Sequence, residues 1–230
     1  MIKISPALPG GDEATPSITS QAYTRLRTDI LTGAIAPGTK LKIEQLRQLL
    51  GSGASPIREA LSLLTSDHLV ERIDQRGFRV ALVSEDEFQE LLRTREWLEE
   101  RALRESIARG DKAWEESVVL SHYYLSRTPR TTGESGGTSS VWERHHRALH
   151  FALLGACGSA IMLRFCEQLY DQNIRYRHLA GRAAYPKRNI NSEHDAIVEA
   201  TLNRDADAAV DALLSHYRRT GKFLSSRISG

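Results

Sequence analysis

Residues 53–80 read GASPIREALSLLTSDHLVERIDQRGFRV, and this stretch decides the fold. Ser55 is a good N-cap and Pro56 a good first helical residue, because the first amides of a helix have no intrahelical acceptor to lose. Ile57, Ala60, Leu61 and Leu64 then repeat at helical spacing. Two strand-like runs follow, 69–73 and 78–83, separated by the turn Asp74-Gln75-Arg76-Gly77. A helix with Arg58 on its first turn and a β-ribbon beside it is a way of presenting a helix to the DNA major groove with a wing alongside.

Working outward, residues 19–33 predict a helix capped by Thr19 or Ser20, with an apolar stripe of Tyr23, Leu26, Ile30 and Leu31 and a stop at Gly33. Pro37-Gly38 make a turn, residues 40–42 a short strand, and residues 44–50 a helix with Leu46, Leu49 and Leu50 inward and Gly51 as its stop. Residues 19–83 thus predict a winged helix-turn-helix, and residues 1–18, aperiodic and containing Pro and Gly, a flexible tail. From Ser84 to the end the pattern is helical, with spans near 84–109, 111–127, 141–157, 159–180, 190–203 and 206–227. Breaks fall at Gly110-Asp111, at Gly158 and at 203–205, where Asp205 is the cap. Residues 131–140, rich in Gly, Ser and Thr, read as a loop inside one bundle. The expected fold class is mainly α: a winged helix-turn-helix followed by an all-α antiparallel bundle over 84–230.

Composition narrows the function. No apolar run reaches membrane-spanning length and the N-terminus has no signal-peptide pattern, so a cytoplasmic protein is expected. Cys157 and Cys166, the two cysteines, match no zinc spacing and sit in apolar helical context, as buried thiols do. Residues 21–80 hold nine Lys/Arg against six Asp/Glu, while the whole chain carries +2. The small N-terminal unit therefore takes the positive excess that suits a phosphate backbone, and the neutral remainder has another task.

These residues resemble a known family. The pattern Tyr23-x-x-Leu26-Arg27-x-Asp29-Ile30-x-x-Gly33-x-x-x-Pro37-Gly38-x-x-Leu41, then 55–61 and 76–80, is similar to the GntR family of bacterial transcription regulators. Arg95-x-x-Leu98-Glu99, His146-x-x-Leu149-His150, 156–159, Glu193-His194 and His216 resemble the FCD effector domain of its FadR-type branch. The details are most similar to the carbon-starvation-induced (CsiR-like) regulators. The resemblance spans about residues 20–225 and implies a ligand-responsive regulator, a repressor by default, binding a palindromic operator as a homodimer. Two departures stand out. Many members have arginine where this chain has Ala54, which removes one expected DNA contact. Metal-binding members commonly have Asp where this chain has His146.

For DNA, Arg58 is the expected base reader, since arginine can bond guanine O6 and N7 together. Ser55 and Pro56 open the helix whose N-terminus favours a phosphate, and Arg76-Gly77 lets the wing backbone approach a groove. Lys42 and Arg47, with Arg27 and Arg79, are phosphate candidates. The bland alternative for Arg58 is an ion pair with Glu59 or Glu44.

For the second task, His146 and His150 stand one turn apart on one helix face, and His194 and His216 lie on two further helices with inward apolar neighbours. Imidazoles on three helices can converge on a divalent transition metal, and replacement of a carboxylate by His favours zinc or nickel over magnesium. Arg95, whose equivalent in the family faces the cavity, is the expected clamp for a small organic acid, a dicarboxylate in particular; its bland alternative is an ion pair with Glu99. Arg175, Tyr176 and Arg177 are secondary effector-binding candidates. His145 adjoins His146 but points about 100° away around the helix, and His68, His122 and His178 have no partner at useful spacing. Two other functions compete: an all-helical metal-dependent phosphohydrolase using His194-Asp195 with His150 and Asp205, and a DNA-binding protein whose bundle only dimerises.

Overall fold

The structure, a computed structural model, describes residues 16–74, 76–132, 137–179 and 188–228. Of the expected tail, residues 1–15 lie outside this range, as does Gln75 of the wing turn. The N-terminal elements are α1 (Ile18–Leu31), β1 (Lys40–Leu41), α2 (Ile43–Leu50), α3 (Ala54–Ser66), β2 (Val70–Ile73) and β3 (Gly77–Val80). The C-terminal elements are α4 (Glu85–Arg109), α5 (Lys112–Ser126), β4 (Thr131–Thr132), β5 (Gly137–Thr138), α6 (Ser140–Leu154), α7 (Ala160–Leu179), α8 (Ile190–Leu202) and α9 (Ala206–Ile228).

The first six elements close over one core, in which Leu26, Ile30, Ile57, Leu61, Leu64, Leu69 and Val80 are buried. The sheet runs β1-β3-β2, antiparallel throughout, with Lys40 opposite Arg79 and Val70 opposite Val80. Helices α4 to α9 enclose a second core built on Leu103, Trp114, Val118, Leu149, Leu153, Ile197 and Leu213. Both cysteines are free and buried there.

Several local expectations need correction. Ser17 caps α1, accepting from the Ser20 amide at 3.1 Å, in place of Thr19 or Ser20. Helix α3 begins two residues early: Gly53 is the N-cap and makes no side-chain bond, and Ser55 and Pro56 lie within the first turn. That turn needs no backbone donor from Pro56, so the proline costs no hydrogen bond. Leu49 is 67% exposed, because α2 is only eight residues long and turns a single narrow face inward, through Leu46. Residues 131–132 and 137–138 pair as a short antiparallel ribbon inside the expected loop. By contrast, Ser84 caps α4 and Asp205 caps α9 as their positions suggest.

The two cores meet through α7. Asp171 on α7 accepts from Arg27 of α1 on one carboxylate oxygen and from Arg147 of α6, at 2.7 Å, on the other. Arg147 also bonds Glu167 of α7. The Gln168 side-chain amide donates to the Ser66 carbonyl at 3.2 Å, and the Arg175 guanidinium to the Ala81 carbonyl.

Candidate functional site

Helix α6 presents His146 and His150 one turn apart, α8 presents His194, and α9 presents His216. All four are buried, and one nitrogen from each lies within 4.8 Å of those of the others. The Nε2 atoms of His146 and His150 are 3.1 Å apart. The outward Nδ1 atoms are held: His146 by the Tyr170 hydroxyl at 2.8 Å, His150 by the Tyr217 hydroxyl at 3.1 Å, His216 by a Glu193 carboxylate oxygen at 2.9 Å. His194 is 1% exposed, and neither of its ring nitrogens has a hydrogen-bond partner among the described residues. A buried polar group left unpaired in this way is costly unless something else completes it.

Burial drives these imidazoles toward the neutral form that a metal requires. Desolvation, then mutual repulsion with the other imidazoles, pushes His146, His150 and His194 well below the usual histidine range. Burial lowers His216 as well, outweighing the Glu193 carboxylate beside it. Trp142 stacks on His146, with centroids 4.5 Å apart, and closes the cluster on one side. Four neutral imidazole donors with an orphaned member suit a divalent transition ion of the zinc or nickel kind. Among the described residues this is the only such cluster.

Beside the cluster lies a small cavity of about 20 Å³, lined by Arg95, His146, His150, Tyr170, Asn173 and Arg177 among others. Arg95 forms the ion pair with Glu99, Nε to Oε1 at 2.7 Å, both side chains at most 3% exposed. Burial works against the Arg95 charge, but the Glu99 carboxylate outweighs it and holds the guanidinium protonated more firmly than usual. Only its Nε is committed to Glu99, and the residue still borders the cavity. Arg177 also borders it, 3.4 Å from His146 Nδ1 and ion-paired to Glu143. Arg175 and Tyr176 do not. Residues two apart on a helix point about 200° apart, so Arg175 faces the wing exit at Ala81 while Tyr176 packs on Phe88 at a centroid distance of 4.8 Å. The sequence reading missed Tyr170, Asn173 and Tyr217. A signal existed, since Tyr170, Asn173 and Arg177 repeat at i, i+3 and i+7 on the inward face of α7.

On the N-terminal module, Arg58 is exposed and, among the described residues, has no ion-pair partner. Its expected competitors are engaged elsewhere: Glu59 accepts from Thr19 at 2.9 Å and Glu44 pairs with Arg47 at 2.8 Å. Lys42, Arg47, Ser55, Arg76 and Gly77 are exposed, and Pro56 is half-buried. Gly77 has φ +92°, a backbone conformation that favours glycine. Arg27 bridges to Asp171, and Arg79 pairs with Glu71 in a partly exposed contact, as Arg47 does with Glu44.

Residues 18–80 match the model of the bacterial regulatory proteins, gntR family, and residues 90–219 that of the FCD domain. The chain belongs to the GntR family of transcription regulators. This GntR regulator is 40% identical over 201 residues to the uncharacterized HTH-type transcriptional regulator BphR of Paraburkholderia xenovorans (strain LB400), covering 87% of this chain and 82% of the relative. It is 32% identical over 205 residues to the HTH-type transcriptional repressor GlaR of Escherichia coli (strain K12), covering 87% and 93%. Its fold is shared with E. coli McbR/YncC, at TM-score 0.74 and 21% identity, covering 91% of this chain and 98% of that one. Regulators of this family bind DNA operators and effectors, typically as dimers, and FCD domains commonly bind metals. These relatives are regulators and not enzymes. The residues of the phosphohydrolase alternative are likewise not gathered: Asp195 is 58% exposed and pairs with His122 at 2.9 Å, and Asp205 caps α9. No helix among the described residues is long and apolar enough to cross a membrane.

Proposed function

We propose that this GntR regulator is a cytoplasmic repressor. As a homodimer it binds a palindromic operator through Arg58, Ser55, Pro56, Arg76, Gly77, Lys42 and Arg47. It releases the operator when a small organic acid, a dicarboxylate in particular, enters the FCD bundle. His146, His150, His194 and His216 would hold a divalent transition metal, zinc or nickel, which supplies a Lewis-acid position for a carboxylate. Arg95 and Arg177 border that position and offer guanidinium donors to the acid. Arg175 and Tyr176 have no place in this site. The observation that carries the reading is the convergence of four buried imidazoles beside a guanidinium-lined cavity.

The cavity volume, about 20 Å³, holds little more than one water. A dicarboxylate needs several times that space, so it favours an arrangement in which the helices lining the cavity, α4, α6, α7 and α9, stand further apart. Such differential binding is what lets a ligand shift DNA affinity. The route outward is short, because Arg147 follows His146 directly on α6 and shares Asp171 with Arg27 of α1. The similar E. coli protein is a transcriptional repressor, which supports repression over activation.

Calorimetry of zinc-loaded protein against a dicarboxylate series tests this, paired with gel shifts on DNA flanking the gene. A dicarboxylate should bind, weaken the shift, and lose both effects in His150→Ala. Tight DNA binding indifferent to every acid and to chelation would leave the bundle as a dimerisation unit.

A further inference from the structure

Glu99, Tyr217 and His150 form a buried hydrogen-bonded chain that ends at the histidine cluster. The Glu99 carboxylate, ion-paired to Arg95, can only accept. Tyr217 therefore donates its one hydroxyl proton to Glu99 Oε2. The same hydroxyl oxygen faces His150 Nδ1 at 3.1 Å and has only a lone pair left to offer. His150 must then carry its proton on Nδ1 and point the bare Nε2 lone pair inward. All of these groups are at most 5% exposed, so water does not blur the assignment.

We propose that Glu99 and Tyr217 are positioning residues for a cation, fixing His150 in the tautomer whose Nε2 is ready to coordinate. The inference rests on the four-histidine reading and deepens it. It places Arg95 in a second role, as the counter-ion that keeps Glu99 an acceptor. His216 is set in the same way from the other side, by Glu193, which is itself tied to Arg188.

The chain also assigns His146. Its Nε2 lies 3.1 Å from that of His150, which can only accept there, so His146 is the donor and holds its proton on Nε2. Its Nδ1 then accepts from Tyr170 at 2.8 Å, with the Arg177 guanidinium at 3.4 Å on the same lone pair. Two of the four rings thus present lone pairs already, while His146 must give up an inward proton before it can ligate. Groups that hydrogen-bond a ligating imidazole in this way commonly change metal affinity by about 10- to 100-fold.

The test measures zinc affinity by competition with a chromophoric chelator, and ring tautomers by ¹⁵N NMR of histidine-labelled full-length protein. Tyr217→Phe keeps the ring and removes the hydroxyl, and should weaken zinc about 10- to 100-fold with an unchanged circular dichroism spectrum. In the unsubstituted protein, His150 should show the Nδ1–H pattern with and without zinc, whereas His146 should reverse from Nε2–H on zinc addition. Equal zinc affinity in Tyr217→Phe, or a His150 ring protonated on Nε2 in the metal-free protein, overturns the proposal. The NMR arm needs no variant to fold. Should the unsubstituted protein bind zinc no better than His150→Ala, the four-histidine reading itself fails, and that outcome is distinguishable from failure of the relay.

Discussion

The Arg27–Asp171 pair joins the DNA-binding module to the bundle, and a double-mutant cycle gives its strength. Its side chains are 27% and 15% exposed, so solvent screens the pair only in part. Exposed pairs contribute about 0.2–1 kcal/mol, while stripping one partner from a fully buried pair costs about 3–5 kcal/mol. At 27% and 15% exposure the pair lies between these limits, and because solvent still reaches both side chains we expect a coupling energy of about 1–2 kcal/mol for Arg27→Ala with Asp171→Ala. Native-state hydrogen exchange at the Leu26 and Ile30 amides reads it, because both residues are buried on α1. The coupling should shrink at 1 M salt, where the Debye length falls to about 3 Å. Asp171→Asn also weakens the bond from Arg147, so it should reduce the effect of bundle ligands on operator affinity by up to about tenfold, since 1.4 kcal/mol corresponds to a factor of ten. Single-variant effects that add to within about 0.3 kcal/mol, the usual behaviour of independent sites, would show that the two modules are not linked through this carboxylate.

Three further outcomes follow from other parts of the molecule. Arg58→Ala should abolish operator binding in a gel shift while leaving the thermal midpoint within a degree or so, because the side chain is exposed and supports no ion pair; undiminished affinity would remove the central base contact. Gly77→Ala should cost about 1 kcal/mol from its φ of +92° alone, as no atom lies within 4 Å of the added carbon; a neutral effect in denaturant titration would contradict that. The metal-free protein should lose stability as pH falls below about 6.5. Histidines whose folded pKa is depressed stay neutral while the unfolded chain takes up protons, so their contribution is complete above the unfolded value and lost beneath it. The limiting slope is about 1.4 kcal/mol per pH unit for each such ring, and a flat profile from pH 7 to pH 5.5 would refute the burial of the cluster.

Which features were legible in the sequence follows from how local their causes are. The helix breaks are written in single residues: Gly51 with φ +59°, Gly158 with φ +74°, and the caps at Ser84 and Asp111. The four histidines were legible because the i, i+4 pair fixes a face and each of the other two sits among inward apolar neighbours. What escaped depends on distance along the chain. Arg27 and Asp171 are 144 residues apart, and nothing near either one announces the other. Arg27 therefore read as a phosphate contact. Arg175 and Arg177 both read as secondary effector-binding candidates, yet helical rotation sends them to opposite sides of α7. Residues 131–138 read as a loop because two-residue strands are too short to display alternation.

The near-absence of free volume beside the histidines bears on timing. If the bundle takes an organic acid as proposed, so little space means that the acid must wait for the helices to part before it meets Arg95 or Arg177. Its arrival rate would then follow the frequency of that fluctuation and would be lower than for a site already open, since binding that requires a conformational change is slower. Departure is slowed by the same gate. A sensor built this way averages over brief spikes in metabolite level and answers only a sustained rise.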